Sequence, residues 1–465
     1  MKDEERLLVV SNRVPPSTAF RGDGSNSAAP VGGLVSALRP AVEKRGGLWF
    51  GWSGRSTNRK PDLVPTVSDL GKVQLATVDL SEDDLSLYYT GFANRTLWPL
   101  LHSFPERVII RHDTYRAYRR INRRFAAALY PLLRPGDLVW VHDYHLFHIG
   151  QELRQMGWEG KIGFFLHVPF PPADIFTILP WATQLLEGLL RYDLVGVHTD
   201  RYLSNLMDTL RTQLGGAVSD GVFSTREHSA RFGAYEIGID PAIFQPAAYN
   251  DTRGSGIRLL LPPSPDHRMI LGVDRLDYTK GIPERLTAFG RLLNRNPSLR
   301  GKVSFVQVSS PSRTRVPEYV QERERVNQLV GRINGSYSEG SWVPVRYLYR
   351  SVPQHDLARL YRDADVCMVT PLRDGMNLVA KEFVASQGND PGVLVLSKFC
   401  GAADSMGDAL IVNPYDVDGT AEATYTALRM PKSERHSRWA SLMRVVAGRT
   451  ARDWSEAFTL DLARS

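Results

Sequence analysis

Two cysteines in 465 residues, Cys367 and Cys400, are too few for a disulfide framework and suit a reducing compartment or two buried thiols. No apolar run approaches the roughly 18 residues that would cross a bilayer. The apolar stretch after the charged N-terminus is too short for a secretory leader. Internal repeats and low-complexity tracts are absent, and so is any His-Glu-x-x-His or cysteine-paired histidine pattern of a zinc site. Strong charge of one sign is missing too: 57 Lys and Arg against 50 Asp and Glu leave +7. What remains, 43% hydrophobic and 23% charged, is the composition of a soluble, cytoplasmic globular protein of two or three domains.

The densest basic stretch is Arg116, Arg119, Arg120, Arg123 and Arg124. It is interleaved with Tyr115, Tyr118, Ile121 and Phe125 at helical spacing, so it reads as the outer face of an amphipathic helix. No nucleic-acid motif accompanies it, and neither nucleic acid nor membrane is expected as a partner.

Strand-like apolar runs alternate with helix-length amphipathic segments, the pattern of parallel sheets flanked by helices. In the first half the expected strands are Leu7–Ser11, Val73–Leu80, Asp137–His142, Lys161–Val168 and Asp193–Val197. Helices are expected near Gly33–Lys44, Ser81–Leu101, Thr114–Leu133, His145–Met156 and Asp200–Thr212, with Ser81 and Asp84 as an N-cap signature. Gly, Ser and Pro concentrate around residues 249 to 267 and mark a connection. A second series follows: Met269–Val273, Val303–Val308, Val343–Leu348, Val366–Thr370, Val393–Ser397 and Ala409–Val412, then a terminal helix over Arg449–Ala463. The fold class is therefore α/β, with Rossmann-like domains over residues 1–248 and 249–448. A C-terminal helix over 449–465 is free to pack back on the first domain. Ligands at the carboxyl ends of such strands place a site in the cleft between the two halves.

Several strand ends carry chemistry. Ser11-Asn12-Arg13 ends the first strand, and Gly32-Gly33 opens the following helix, where amides approach a phosphate closely. His142, His145 and His148 fall at i, i+3 and i+6, which splays them and argues against a metal; Asp143 at a strand terminus suits sugar hydroxyls instead. His167 occupies the analogous end of the next strand. Arg275 and Lys280 stand five residues apart in a loop entering a helix, a planar fork and a point charge that suit a diphosphate. The turn from Thr370 to Glu382 offers helix-start amides, Asp374 and Glu382, the contact set that a nucleotide sugar needs.

These motifs together resemble the trehalose-6-phosphate synthases, retaining glycosyltransferases with two facing Rossmann-like domains, the GT-B architecture. The resemblance runs from Leu8 to about Arg452. It includes Val-Ser-Asn-Arg, Gly-Gly-Leu, Gly-Leu-Trp-Phe-Gly-Trp-Ser-Gly, His-Asp-Tyr-His-Leu, Phe-Phe-Leu-His-Val-Pro-Phe-Pro, Arg-Leu-Asp-Tyr-Thr-Lys-Gly and Thr-Pro-Leu-Arg-Asp-Gly-Met-Asn-Leu-Val-Ala-Lys-Glu. It implies that glucose passes from a nucleoside-diphosphate-glucose to glucose 6-phosphate, giving trehalose 6-phosphate. Arg275 and Lys280 would hold the donor diphosphate, with amides of Gly33, Gly375, Met376, Asn377, Leu378 and Val379 helping. Glu382 would bind the ribose, and Asp374 and His167 the transferred glucose. Arg13, Tyr89 and Arg313 would grip the acceptor phosphate, Trp98 and Asp143 would position its sugar, and Gly32–Gly33 with Trp52 would line the loop that closes on both substrates. Asp143, His167, Arg275, Lys280 and Asp374 make the implied catalytic set. With no carboxylate pair evident, retention is expected from front-face attack rather than a covalent intermediate, with no metal or other cofactor.

Two stretches depart from the pattern: Pro15–Pro30 is long and Gly/Ser-rich, and Leu101–Asp113 bears on acceptor preference. No appended phosphatase domain is expected. A transferase for a modified sugar or cyclitol and a non-catalytic sugar-phosphate sensor are the competing readings. The donor's base is not readable from these motifs, and a homo-oligomer is compatible with all three readings.

Overall fold

The computed structural model describes residues 5–20, 33–58, 64–245, 261, 262, 264 and 266–465. The chain divides into two compact units. The N-terminal strand, the described residues within Leu34–Ile237 and Ala451–Ser465 form the first; those within Gly238–Thr450 form the second. Most of the connection expected at 249–267, Gly32, and residues 21–30 of the Pro15–Pro30 stretch lie outside the described residues.

The first unit is built on a ten-stranded sheet. Its strands are β1 (Leu7–Arg13), β2 (Leu48–Thr57), β3 (Thr66–Asp69), β4 (Gln74–Ser81), β5 (Leu138–His142), β6 (Ile162–Phe165), β7 (Leu194–Val197), β8 (Ala217–Ser219), β9 (Val222–Ser224) and β10 (Ser229–Ala234). The order is β3-β4-β2-β1-β5-β6-β7-β10-β9-β8. The central strands pair in parallel, with Leu8 opposite Leu48 on one side and Val139 on the other. Burial of Leu7–Val10 and of all of β5 follows from the helices that parallel crossovers bring to both faces.

Three strand regions escape the sequence reading. Glycines interrupt Leu48-Trp-Phe-Gly-Trp-Ser-Gly, yet that segment is β2, beside β1. The edge strands β3 and β8, with β9 and β10 next to β8, are short, and β3 and β8 carry no buried residue, so their apolar signal is weak. The helix expected over Ser81–Leu101 is there, and Ser81 caps it by accepting from the Asp84 amide at 3.1 Å. From Leu85 to Leu97, however, it is wound as a π-helix, far longer than the single-turn bulges in which that geometry is common. The basic helix, His112–Leu129, buries Tyr115, Tyr118, Ile121, Asn122 and Phe125, while Arg120 and Arg124 pair with Asp84 at 2.9 and 2.6 Å.

The C-terminal helix Ala451–Arg464 completes the first unit. Its Phe458 ring stacks on Trp140 with centroids 4.5 Å apart, and Trp454 packs against Trp140 and Phe165. Gly163 and Gly196 make this possible, since a Cβ on either would stand 2.8 or 2.7 Å from the Phe458 ring.

The second unit carries a six-stranded parallel sheet ordered β13-β12-β11-β14-β15-β16. Its strands are β11 (Arg268–Arg275), β12 (Val303–Ser310), β13 (Val345–Leu348), β14 (Val366–Val369), β15 (Val393–Ser397) and β16 (Leu410–Val412). Its core packs Ile270, Leu286, Phe289, Leu293, Phe305, Val326 and Val395, among others. In both sheets the strand order turns outward in opposite directions from a central pair, β1 and β5 in one, β11 and β14 in the other. These are the topological switch points at which α/β sheets bind ligands.

Candidate active site

In the second unit the loops leaving β11 and β14 are stitched together. Gly281 sits at φ +64°, and a Cβ there would lie 2.4 Å from the Thr370 carbonyl oxygen, so only glycine lets the loops approach. The Leu372 amide donates to the Thr279 carbonyl at 2.8 Å. Beneath them lies Arg285, fully buried. It donates to Asp274 at 2.5 Å, Gln307 at 3.1 Å, Thr370 Oγ1 at 2.9 Å and the Lys280 carbonyl at 3.2 Å. That network ties both loops and two strands to one guanidinium.

On this base Lys280 reaches Asp374, Nζ to Oδ2, at 2.5 Å. Asp374 also accepts from the Gly375 amide at 2.9 Å and from Asn377 Nδ2 at 3.0 Å. Asn377, at φ +73°, sits at the N-cap of the helix Leu378–Ser386, whose first amides and dipole favour an anion. Met376 is buried against the turn. Glu382, in the same helix, accepts from the Tyr361 hydroxyl at 2.9 Å. Burial pushes its carboxyl up to about 7, against the opposing pull of that hydrogen bond. Arg275 ends β11, and Arg313 donates to Asp277 at 2.9 Å. Thus Arg275, Lys280, Arg313, Asp374, Gly375–Val379 and Glu382 belong to this unit.

The remaining candidates belong to the first unit, except Gly33, which opens the helix Gly33–Arg45 and is grouped with the second unit. Arg13 ends β1 with its guanidinium over the Trp52 ring, 5.7 Å from the centroid. Trp52 neighbours Tyr89 at 6.2 Å, and Tyr89 stacks on His145 at 5.8 Å. Trp49, by contrast, is a core residue whose indole donates to Ser11. Tyr89 lies in the π-helical stretch and Trp98 just beyond it, packed on His102 and Tyr144.

Asp143 follows β5 at φ +76° and ψ 165°, backbone angles otherwise almost restricted to glycine and costing about 1–3 kcal/mol. Its amide donates to the Phe165 carbonyl at 2.8 Å, and its Oδ1 accepts from the His167 amide at 3.3 Å. His167 Nε2 and His142 Nδ1 lie 3.0 Å apart. Burial, with His142 and His198 nearby, pushes His167 well below the ordinary histidine range, and burial takes His142 to about 3. Both imidazoles are neutral at neutral pH. His148 is buried elsewhere, beside Tyr115 and Gln151. Among the described residues no group of three or more His, Cys, Asp or Glu side chains could hold a metal ion.

One sheet thus carries a loop pair with a paired cation and helix-start amides, and the other an arginine over the Trp52 ring. The sequence model of Glycosyltransferase family 20 matches residues 5–464. The chain belongs to that family. As a family 20 enzyme of the trehalose-phosphate synthase type it has close relatives along its whole length. A trehalose-6-phosphate synthase of Sinorhizobium fredii is 43% identical over 463 residues, 99% of this chain and 98% of that one. An α,α-trehalose-phosphate synthase (UDP-forming) of Burkholderia xenovorans, solved in complex with glucose-6-phosphate, aligns with a TM-score of 0.92 and 39% identity. The alignment covers 98% of this chain and 100% of that one. A trehalose-6-phosphate chain from E. coli, bound with UDP-2-fluoro glucose, gives 0.90 and 39%, covering 98% of each. No helix among the described residues is long and apolar enough to cross a membrane.

Several residues that organise this family 20 site went unread in the sequence. Asp277 lies inside the Arg-Leu-Asp-Tyr-Thr-Lys-Gly motif without an assigned role. Arg285 was legible only as a cation among the apolar positions Ile282, Leu286 and Phe289 of its helix. Tyr361 carried no signal beyond its residue type, and His142 was weighed only as a metal candidate, because their partners, Glu382 and His167, come from other strands and helices.

Proposed function

We propose that this enzyme transfers glucose from UDP-glucose to glucose 6-phosphate with retention at the anomeric carbon, forming trehalose 6-phosphate and UDP. The observation that carries the reading is the contact of Lys280 with Asp374 at the start of the helix Leu378–Ser386. It brings a cation and a carboxylate to the first amides of that helix, an arrangement that suits a diphosphate and its sugar. The relatives described as UDP-forming, as a complex with glucose-6-phosphate and as bound with UDP-2-fluoro glucose support the choice of substrates.

In this reading Arg275 and Lys280 meet the charge that grows on the departing diphosphate, each as a preorganised donor. Glu382 holds the ribose, while Asp374 and neutral His167 hold the glucose. Arg13, Tyr89 and Arg313 hold the acceptor phosphate, and Trp52, Trp98 and Asp143 orient its sugar. The acceptor hydroxyl attacks the anomeric carbon from the face that the diphosphate leaves, and a departing phosphate oxygen takes its proton. Positioning then supplies most of the rate. No metal has a role in this scheme, so dialysis against EDTA should leave turnover unchanged.

The test is to offer UDP-, GDP- and ADP-glucose with glucose 6-phosphate and to follow nucleoside diphosphate release and the product's anomeric configuration by NMR. Release of UDP with an α,α-linked product is expected. An inverted product or preference for another nucleotide would overturn that part, and no transfer from any donor would overturn the whole.

A further inference from the structure

Asp277 is fully buried, and its two oxygens serve different loops. Oδ1 accepts from the amide and the hydroxyl of Thr279, both at 3.0 Å, and so caps the short turn Tyr278–Lys280 that carries Lys280. Oδ2 accepts from Arg313 Nη1 at 2.9 Å and from the Tyr319 hydroxyl at 3.0 Å. Tyr319 is itself buried, hydrogen-bonds Arg313, and lies under its guanidinium, 5.3 Å from ring centroid to Cζ. Arg313 has a left-handed backbone at φ +44°, a conformation that a non-glycine residue keeps only when its surroundings impose it. The turn from its carbonyl to the Val316 amide, 2.8 Å long, contributes to that constraint.

We infer that Asp277 is a positioning residue that aims Arg313 at the acceptor phosphate, with Tyr319 as its second support, while its other oxygen independently shapes the donor-diphosphate loop. This rests on the proposed role of Arg313. One carboxylate thereby sets the two phosphate-binding cations in register. Burial alone would raise the Asp277 carboxyl, yet Arg313, Arg275 and Lys280 together hold it below the ordinary range, so it stays charged. A buried anion among three cations also lowers their mutual repulsion before substrates arrive.

The two-sided arrangement makes the inference separable from a merely structural role. In Asp277→Asn the amide oxygen can still accept from Thr279, whereas the amide nitrogen then faces two donors, Arg313 and Tyr319. Steady-state kinetics with UDP-glucose and glucose 6-phosphate should show the glucose 6-phosphate KM rising about tenfold or more, with kcat and the UDP-glucose KM within about threefold of wild type. Tyr319→Phe should raise the same KM by about threefold, and it decides the question if Asp277→Asn is not recovered folded. Equal rises in both KM values, or no change in either variant, would overturn the inference. Arg313→Ala separates the two levels. If it leaves the glucose 6-phosphate KM unchanged, the assigned role of Arg313 fails; if it raises that KM while Asp277→Asn and Tyr319→Phe do not, only the positioning role fails.

Discussion

The two switch points solve the same problem by different means. At β1 and β5 the functional side chains are held by rings: Arg13 over Trp52, Tyr89 between Trp52 and His145, Trp98 on Tyr144. At β11 and β14 they are held by charge: Arg285 with Asp274, Lys280 with Asp374, Arg313 with Asp277. Ring packing tolerates small displacements and suits an acceptor that needs shape as well as a phosphate contact. A diphosphate needs fixed cations, and fixed cations in a dry interior need buried counter-charges of their own.

The largest expected effect tests the charged side directly. Arg275→Ala should lower kcat by about a thousandfold, the scale for losing a preorganised donor to a developing anion. Its circular dichroism and melting temperature should match wild type, and near-normal turnover would sink the assignment. Arg285→Met probes the foundation instead. Leaving Asp274 buried without its partner should cost about 3–5 kcal/mol in urea unfolding. A loss under about 1 kcal/mol would show that packing, not charge, holds this loop pair.

On the ring-held side Arg13→Ala should raise the glucose 6-phosphate KM by roughly 10- to 100-fold while sparing the UDP-glucose KM. An effect on both would blur the contrast between the units. The smallest effect is a pH dependence. Glu382 has a folded pKa of about 7 against an ordinary 4.5, so folding favours its protonated form. That contribution is complete below the unfolded value and is lost as pH rises through the folded one. Glu382→Gln should therefore gain melting temperature relative to wild type as pH rises from about 5 to about 8, and a pH-independent difference would contradict it.

The sequence is most informative where local chemistry suffices. The β11 and β14 strands, the Ser81 cap, the amphipathic arginine helix and the loop from Arg275 to Lys280 were readable from spacing and residue type. The family and its two Rossmann-like units followed from ordered motifs. What escaped depends on partners far along the chain. Glycine-broken β2 gains its strand character from pairing with β1. Asp277 is meaningful only once Arg313 and Tyr319 arrive from beyond β12. Likewise nothing in Leu85–Leu97 announces a π-helix, and Asn94 within it accepts from the Tyr144 hydroxyl at 3.0 Å, a partner that arrives from beyond β5.

The helix Ala451–Arg464 has a consequence for how the protein is made. The first unit owns the earliest strand, Leu7–Arg13, and also this late helix, whose Trp454 and Phe458 cover Trp140 and Phe165. A ribosome will have delivered the entire second unit before that cover emerges from the exit tunnel. The first unit must then wait with an aromatic face open, while the second has its whole sheet in hand and can fold ahead of it, reversing the usual N-terminal-first order. Pulse proteolysis of chains stalled beyond residue 450 tests this: protection of the second unit should precede protection of the first, and the opposite order would refute it.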